Sequence, residues 1–423
     1  MIENSSLKAK KFTAITSACL QYSDAMSCGN SIANDGPLPK IAKRRDGFIA
    51  FAPALTTWLR KSSFAAIVAK NSAVSNELRS ADMIFSERRI VTQFYIIAKL
   101  IKKRYICNTM QNTQPTCDIS VVIPLYNKAS DICLTLTSVL VQTLRPREVI
   151  VVDDGSTDSS AEIVEQMIAN EPHVRLVRQS NAGVSAARNR GIEMAQGRWV
   201  ALLDGDDLWS PDYLKAVQQM IDRWPECGAY GTGFFVEDRV RRIVGATPEK
   251  TGKVDFFEES MHRYVLIPSA TTLQRDLVLR LGGFPVGMRM GEDQYLWTKI
   301  AREAEIAFYA EPMIIYQKSA SNNSVSLYRA EQSQFSLEDL YDESASAISN
   351  EYVARVALGK ALVESARGGT KQARRALEFF SYNTMSKRIE RKVRMLNSLP
   401  RLLRPITLWV YNTLAWLIAG KGM

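Results

Sequence analysis

From Asp118 onward, short β-branched apolar runs alternate with stretches of helical period, and that alternation predicts most of the fold. Ile119–Leu125 (ISVVIPL) is a continuous apolar run, as a strand buried on both faces requires. A helix is expected over Asp131 to Gln142, with Ile132, Leu134, Leu136, Val139 and Leu140 on its apolar face. Strands at Glu148–Val152, Val174–Val177 and Trp199–Leu203 then alternate with helices at Ser159–Ile168 and Val184–Ala195. This order implies right-handed βαβ units and a parallel sheet. Ligands of such sheets bind beyond the carboxyl ends of the strands, so the chemistry is expected just after Leu125, Val152 and Leu203.

Beyond Asp212 the pattern becomes mixed, with short strands such as Tyr230–Val236 and Ile306–Tyr309, and residues 351–396 read as helices rich in Ala, Arg and Lys. In the first 109 residues only Ile90 to Ile106 reads as an amphipathic, basic helix. A polar linker, Gln111 to Thr116, follows Met110, which points to a domain start near Met110 and an upstream segment that is an adaptor or a misassigned start. Pro405–Gly420 is apolar but interrupted by Thr407, Asn412 and Thr413, and is shorter than the roughly 20 residues a membrane span needs. Its two Trp residues, with Arg401, Arg404 and Lys421 around them, suit a helix lying in a membrane interface or a packed terminal helix.

Charge changes the picture more than composition does. Residues 1–109 hold 17 Lys and Arg against 7 Asp and Glu, residues 110–350 hold 23 against 33, and residues 351–423 hold 14 against 4. An acidic middle suits a divalent cation, whereas basic flanks suit a membrane surface or solvated helix faces. The six cysteines (Cys19, Cys28, Cys107, Cys117, Cys133, Cys227) show no metal or redox spacing, and His173 and His262 are the only histidines. A zinc site is therefore not expected, and reduced thiols in a cytoplasmic setting are. The lysines at 8, 10 and 11 are not followed by a signal-peptide core.

The strand ends carry the candidate chemistry. The first strand ends in Pro124-Leu125-Tyr126-Asn127, where an aromatic ring can stack on a base. The second ends in Asp153-Asp154-Gly155-Ser156-Thr157-Asp158. A buried acidic pair needs donors such as base N–H or ribose hydroxyl groups, which favours Asp154, whereas Asp158 reads as a helix cap. Asn181-Ala182-Gly183 opens a helix in a way that favours phosphate, and Arg188 on that helix can pair with a carboxylate or a diphosphate. The fourth strand ends in Asp204-Gly205-Asp206-Asp207, the strongest single signal, because three carboxylates there call for a hard cation that also holds phosphate. A calcium loop of the helix–loop–helix kind is excluded, since its sixth position would be Trp209 and its twelfth Lys215. Asp293, in Gly291-Glu292-Asp293, can take a proton from a hydroxyl, although alone it reads as a helix N-cap.

Taken in order, VVIPLYN at Val121–Asn127, EVIVVDDGSTD at Glu148–Asp158, NAGVSAARNRG at Asn181–Gly191, LLDGDD at Leu202–Asp207 and GED at Gly291–Asp293 resemble the family 2 glycosyltransferases. The resemblance covers about Asp118 to Lys318. It implies an α/β GT-A fold, with a Rossmann-like nucleotide-binding half, a mostly parallel sheet, a mixed acceptor half and a helical C-terminal region. The domains would be an N-terminal extension over 1–115, a GT-A domain over 116–320 and a helical region over 321–423 that touches a membrane interface. Pro124, Tyr126 and Asp154 would bind base and ribose, and Asn127, Gly155, Ser156, Asn181, Arg188 and Asp204 would belong to the same donor-binding set. Asp206, with Asp207 as a further ligand, would hold Mg²⁺ or Mn²⁺, and Asp293 would be the catalytic base of an inverting displacement. The donor would be a nucleotide-sugar, taken as a UDP-sugar, and the acceptor a glycan or lipid-linked hydroxyl at the cytoplasmic membrane face, with no nucleic-acid partner. Processive members carry Q-x-x-R-W after the base. Here the nearest string, Gln219 to Trp224, has an extra residue and precedes Asp293, so single addition is expected. A nucleotidyltransferase would need a Gly-rich basic loop where PLYNKAS stands, and no dinucleotide or P-loop fingerprint follows a strand. The remaining alternative is a degenerate, membrane-attached binding module.

Overall fold

The computed structural model describes residues 115–237, 242–317 and 333–400, together with 403, 404 and 407. The helix expected at Ile90–Ile106, the segment before 115 and nearly all of Pro405–Gly420 lie outside the described residues.

Four strands, β1 (Ile119–Leu125), β2 (Glu148–Asp153), β3 (Val174–Arg178) and β4 (Trp199–Leu202), are joined by helices α1 (Ile132–Leu140), α2 (Ser160–Ile168) and α3 (Val184–Met194). They lie side by side in the order β3-β2-β1-β4, and every neighbouring pair is parallel. The carboxyl ends that follow Leu125, Val152 and Leu202 therefore share one edge. Because β1 has β2 on one side and β4 on the other, the winding reverses there, which opens the crevice that such sheets use for ligands.

Every residue of β1 is buried, which is why its apolar run is unbroken. Ile119, Val121, Ile123 and Leu125 enter one core with Ile132 and Leu136 of α1, Val164 of α2, and Tyr213 and Val217 of α4 (Tyr213–Arg223). Val122 enters the opposite core with Val152, Leu202, and Ala187 and Ile192 of α3. Helix α3 presses so closely that a Cβ on Gly191 would stand 2.3 Å from Val122 Cγ1, so a larger residue there would push the helix off the strand.

The second half of the sheet is mixed. Its strands are β5 (Leu208–Trp209), β6 (Ala229–Glu237), β7 (Arg242–Val244), β8 (Gly252–Val254), β9 (Thr271–Gln274) and β10 (Ile306–Gln317), with α5 (Phe256–Ser260), α6 (Arg275–Arg280) and α7 (Glu292–Glu303) between them. Strand β9 runs antiparallel to both β4 and β6, while β10 runs parallel to β6. The strand expected at Ile306–Tyr309 is longer than its apolar pattern shows. It shifts register around Pro312 and resumes pairing through Gln317, so polar residues at the irregularity mask its second half. Three helices close the described chain: α8 (Ala347–Arg367), α9 (Thr370–Phe379) and α10 (Lys387–Ser398). Their core of Val353, Leu358, Leu377 and Val393 takes in Tyr295 of α7, so they pack directly behind the GED segment. Among the described residues no helix is long and apolar enough to cross a membrane. Cys117 and Cys227 are buried free thiols.

Candidate active site

The loops after β1 and β2 are clasped together. Asn127, in the left-handed region at φ 51°, accepts from the Thr157 amide at 2.7 Å and donates its own amide to Ser156 Oγ at 3.1 Å. Gly155 beside them adopts φ 72°, which a side chain would strain. Asp158 accepts from the Ser160 amide at 3.0 Å and the Ala129 amide at 3.1 Å, but the N-cap of α2 is Ser159, so the reading of Asp158 as that cap is corrected. Tyr126 projects outward, 39% exposed, with a ring free to stack. Pro124 instead lies inside β1, buried and opposite Val152, so it shapes the edge through its backbone.

Asp154 is 3% exposed and fully engaged by protein. Its carboxylate accepts from Gln179 Nε2, the Ala182 amide and the Gly183 amide, each at 2.8 Å, and its carbonyl accepts from Asn181 Nδ2. The expectation of phosphate at the head of α3 is thereby corrected. The anion against the amides preceding that helix is the protein's own Asp154.

Arg188, on α3, is buried and reaches across the crevice. Its guanidinium lies 2.8 Å from Asp204 and 3.4 Å from Glu292, and rests 5.2 Å over the Phe284 ring. Burial pulls its pKa down, but the two carboxylates outweigh burial and raise it. Asn189 holds the loop before Glu292 in place by exchanging two hydrogen bonds of 2.8 Å with the backbone of Phe284.

The three aspartates after β4 have three different surroundings. Asp204 keeps 28% of its side chain exposed beside Arg188. Asp206 faces Lys128, whose Nζ lies 2.6 Å from Oδ2. Burial raises its pKa and Lys128 opposes that. Asp207, expected as a further metal ligand, points inward and is 1% exposed. Ser269 Oγ donates to one of its oxygens at 2.5 Å and the Gln317 amide to the other at 2.9 Å, so it ties the loop to β10 instead. Burial, then the charges of Asp206 and Asp204, push its pKa well up. The hard oxygen donors of Asp206 suit Mg²⁺ or Mn²⁺, and the Lys128 ammonium 2.6 Å from one of them shows that this position accepts positive charge.

The N-cap of helix α7 is Gly291, at φ 86°, so the N-cap reading of Asp293 is corrected. Glu292 and Asp293 occupy the first turn. Burial, then Asp293, raise Glu292 to about 7 against the pull of Arg188. Asp293 is also raised by burial, again opposed by Arg188, which makes it a stronger base than an exposed aspartate. Tyr316, in the second half of β10, is 37% exposed and stands next to Gln317, whose amide holds Asp207; partial burial, then the charges of Asp207, Asp204, Asp206 and Asp293, raise its pKa. Lys128, Ser269, Glu292 and Tyr316 are thus site residues that the sequence pattern alone does not pick out. Glu292 stood beside Asp293 in GED, whereas Ser269 has no motif to mark it.

Residues 120–282 match the family model for glycosyl transferase family 2. An uncharacterized glycosyltransferase of Escherichia coli K12, YibD, is 47% identical over 105 residues, 25% of this chain and 30% of that protein. A putative teichuronic acid biosynthesis glycosyltransferase of Bacillus subtilis 168, TuaG, is 39% identical over 127 residues, 30% of this chain and 49% of that protein. The chain thus spans a third to a half of these relatives. In fold it is similar to Staphylococcus aureus TarS 1–349 crystallised with UDP-GlcNAc, with a TM-score of 0.51 and 22% identity, over 66% of this chain and 88% of that one.

Proposed function

The chain belongs to glycosyl transferase family 2 through the domain at its centre, and on that premise we propose that it carries a single sugar, with inversion, from a nucleotide-diphosphate-sugar to an acceptor hydroxyl. The donor is a UDP-sugar, after the UDP-GlcNAc bound in the similar fold. The acceptor is a glycan or lipid-linked hydroxyl of a cell-surface polymer, in keeping with the teichuronic acid relative. The observation that carries this reading is the Arg188 guanidinium between Asp204 and Glu292. It joins the end of β4 to the first turn of α7, which supports reading Asp204 as a donor-holding carboxylate and Asp293, next to Glu292, as the base.

Each residue then has one task. Tyr126 stacks on the base, while Asp154 keeps the 181–183 loop in position to border the nucleotide. Asp204 receives the ribose, and Asp206 holds Mg²⁺ or Mn²⁺, which when bound neutralises the departing diphosphate. Asp293 takes the acceptor proton as the acceptor oxygen attacks, and its raised pKa keeps it basic enough to do so. Single addition is supported by Gln219–Arg223, which lie on α4 with Met220 and Ile221 in the core rather than on the crevice.

Contact with the cytoplasmic membrane face is part of the proposal. Exposed Lys371, Arg374, Arg388 and Arg391 accompany exposed Phe379 and Met395 on the C-terminal helices and Met385 in the turn before α10, a combination suited to acidic headgroups. One experiment tests the enzymatic reading: thermal-shift screening of nucleotide-sugars with Mn²⁺, followed by donor hydrolysis for those that bind. A UDP-sugar should raise Tm and be turned over. Binding without turnover by any donor would favour the degenerate module.

A further inference from the structure

Lys128 is placed with unusual firmness for a long side chain at a loop. Its amide donates to Ser160 Oγ at 2.8 Å, and its carbonyl accepts from the amides of Asp131 and Ile132, each at 2.9 Å. The backbone is thus pinned to the heads of α1 and α2. The Lys128 side chain is 13% exposed and delivers its ammonium 2.6 Å from Asp206 Oδ2, itself on a side chain 12% exposed. Gly205 packs under it, since a Cβ there would stand 3.6 Å from Lys128 Cγ and 3.2 Å from the Pro124 carbonyl oxygen.

This arrangement bears on how an ion enters. A divalent cation held by Asp206 would contact the carboxylate that the Lys128 ammonium now faces. A second cation already on that carboxylate, in a crevice screened from water, repels it strongly. An anion arriving at the same time removes the conflict, because the ammonium then has another partner within reach of its flexible stem. A diphosphate is such an anion, and the donor proposed above brings one.

Building on that metal site, we infer that Lys128 is an internal counter-ion of Asp206 that makes metal uptake depend on the nucleotide diphosphate. The ion and the diphosphate bind together, and the ammonium passes from Asp206 to phosphate oxygen as they do. By linkage, the factor by which UDP tightens Mn²⁺ binding equals the factor by which Mn²⁺ tightens UDP binding.

The test is Mn²⁺ titration of the full chain, followed by electron paramagnetic resonance of the free ion, with and without UDP. The wild type should bind Mn²⁺ weakly alone and about ten-fold or more tighter with UDP. Lys128→Met should bind Mn²⁺ without nucleotide about ten-fold tighter than the wild type, with most of the coupling gone. Lys128→Arg keeps the charge and should retain the coupling, which separates loss of the counter-ion from a general disturbance of the loop. If UDP promotes Mn²⁺ uptake but Lys128→Met binds the bare ion no tighter than the wild type, the inference falls while the metal site stands. If neither protein takes up Mn²⁺ even with UDP, both fall.

Discussion

The Gly183 amide donates to Asp154 Oδ2 at 2.8 Å, between residues 29 positions apart in the chain. With the Ala182 amide and Gln179 Nε2 on the other oxygen, the carboxylate holds a loop whose Gly183 adopts φ 91°. Asp154→Ala should therefore lower the unfolding free energy by about 2–4 kcal/mol, since charged hydrogen bonds are worth about 1.5–3 kcal/mol each and partial rehydration returns some of that. Amide exchange at Ala182 and Gly183 should accelerate with it. Urea unfolding and hydrogen exchange check both. Unchanged protection of the two amides would mean that the loop is held by other contacts.

Arg188 joins two motifs far apart in the chain, and its removal leaves Asp204 and Glu292 facing each other without a cation. Arg188→Met should cost about 3–5 kcal/mol of stability, as loss of one partner in a buried ion pair does. Arg188→Lys should recover part of the fold but less of the donor binding, because one ammonium cannot span both carboxylates. Urea unfolding and UDP titration of the two variants give the comparison.

Much of this was legible because burial and motif coincided. Every residue of ISVVIPL is buried, so its apolar run announced the central strand, and the parallel neighbours followed from the helices between runs. Asp204 and Asp206 were visible for the opposite reason, since carboxylates after such a strand need a counter-charge. What escaped was set by tertiary partners. Nothing in PSATT marks Ser269 as the hydroxyl that supports Asp207, and the shift at Pro312 hid Tyr316 by interrupting the pattern of β10. Asp154 is a buried acid supplied with donors, but these are Gln179 Nε2 and two backbone amides of this chain rather than base or ribose, which no local pattern around Asp154 could show.

Asp293 separates chemistry from binding. It lies in the first turn of α7, and its Oδ1 accepts from the Gln294 amide at 2.9 Å, a bond the neutral amide of Asn can replace. Asp293→Asn should keep UDP affinity within about two-fold and lower transfer by about 10²–10⁴-fold, the usual contribution of a general base. Isothermal titration and a transfer assay measure the two separately. Near-normal transfer by the variant would remove Asp293 from the mechanism.

Glu292 gives the site a pH signature in stability. Its carboxyl is raised to about 7 in the folded protein, chiefly by burial and then by Asp293, from an ordinary value of 4.5. Between those two values the native state holds a proton that the unfolded chain has already lost, so stability must fall as pH rises through the window and level off above about 7. Asp206, Asp207 and Asp293 are shifted in the same direction by burial, so they add to the slope. Glu292→Gln removes one contributor. It should flatten the decline without abolishing it, and at pH 8 should leave the protein at least as stable as the wild type, by at most about 3 kcal/mol. Urea midpoints measured from pH 5 to pH 8 decide the matter. Parallel curves for the two proteins would show that Glu292 is already ionised below that range, held in that form by Arg188.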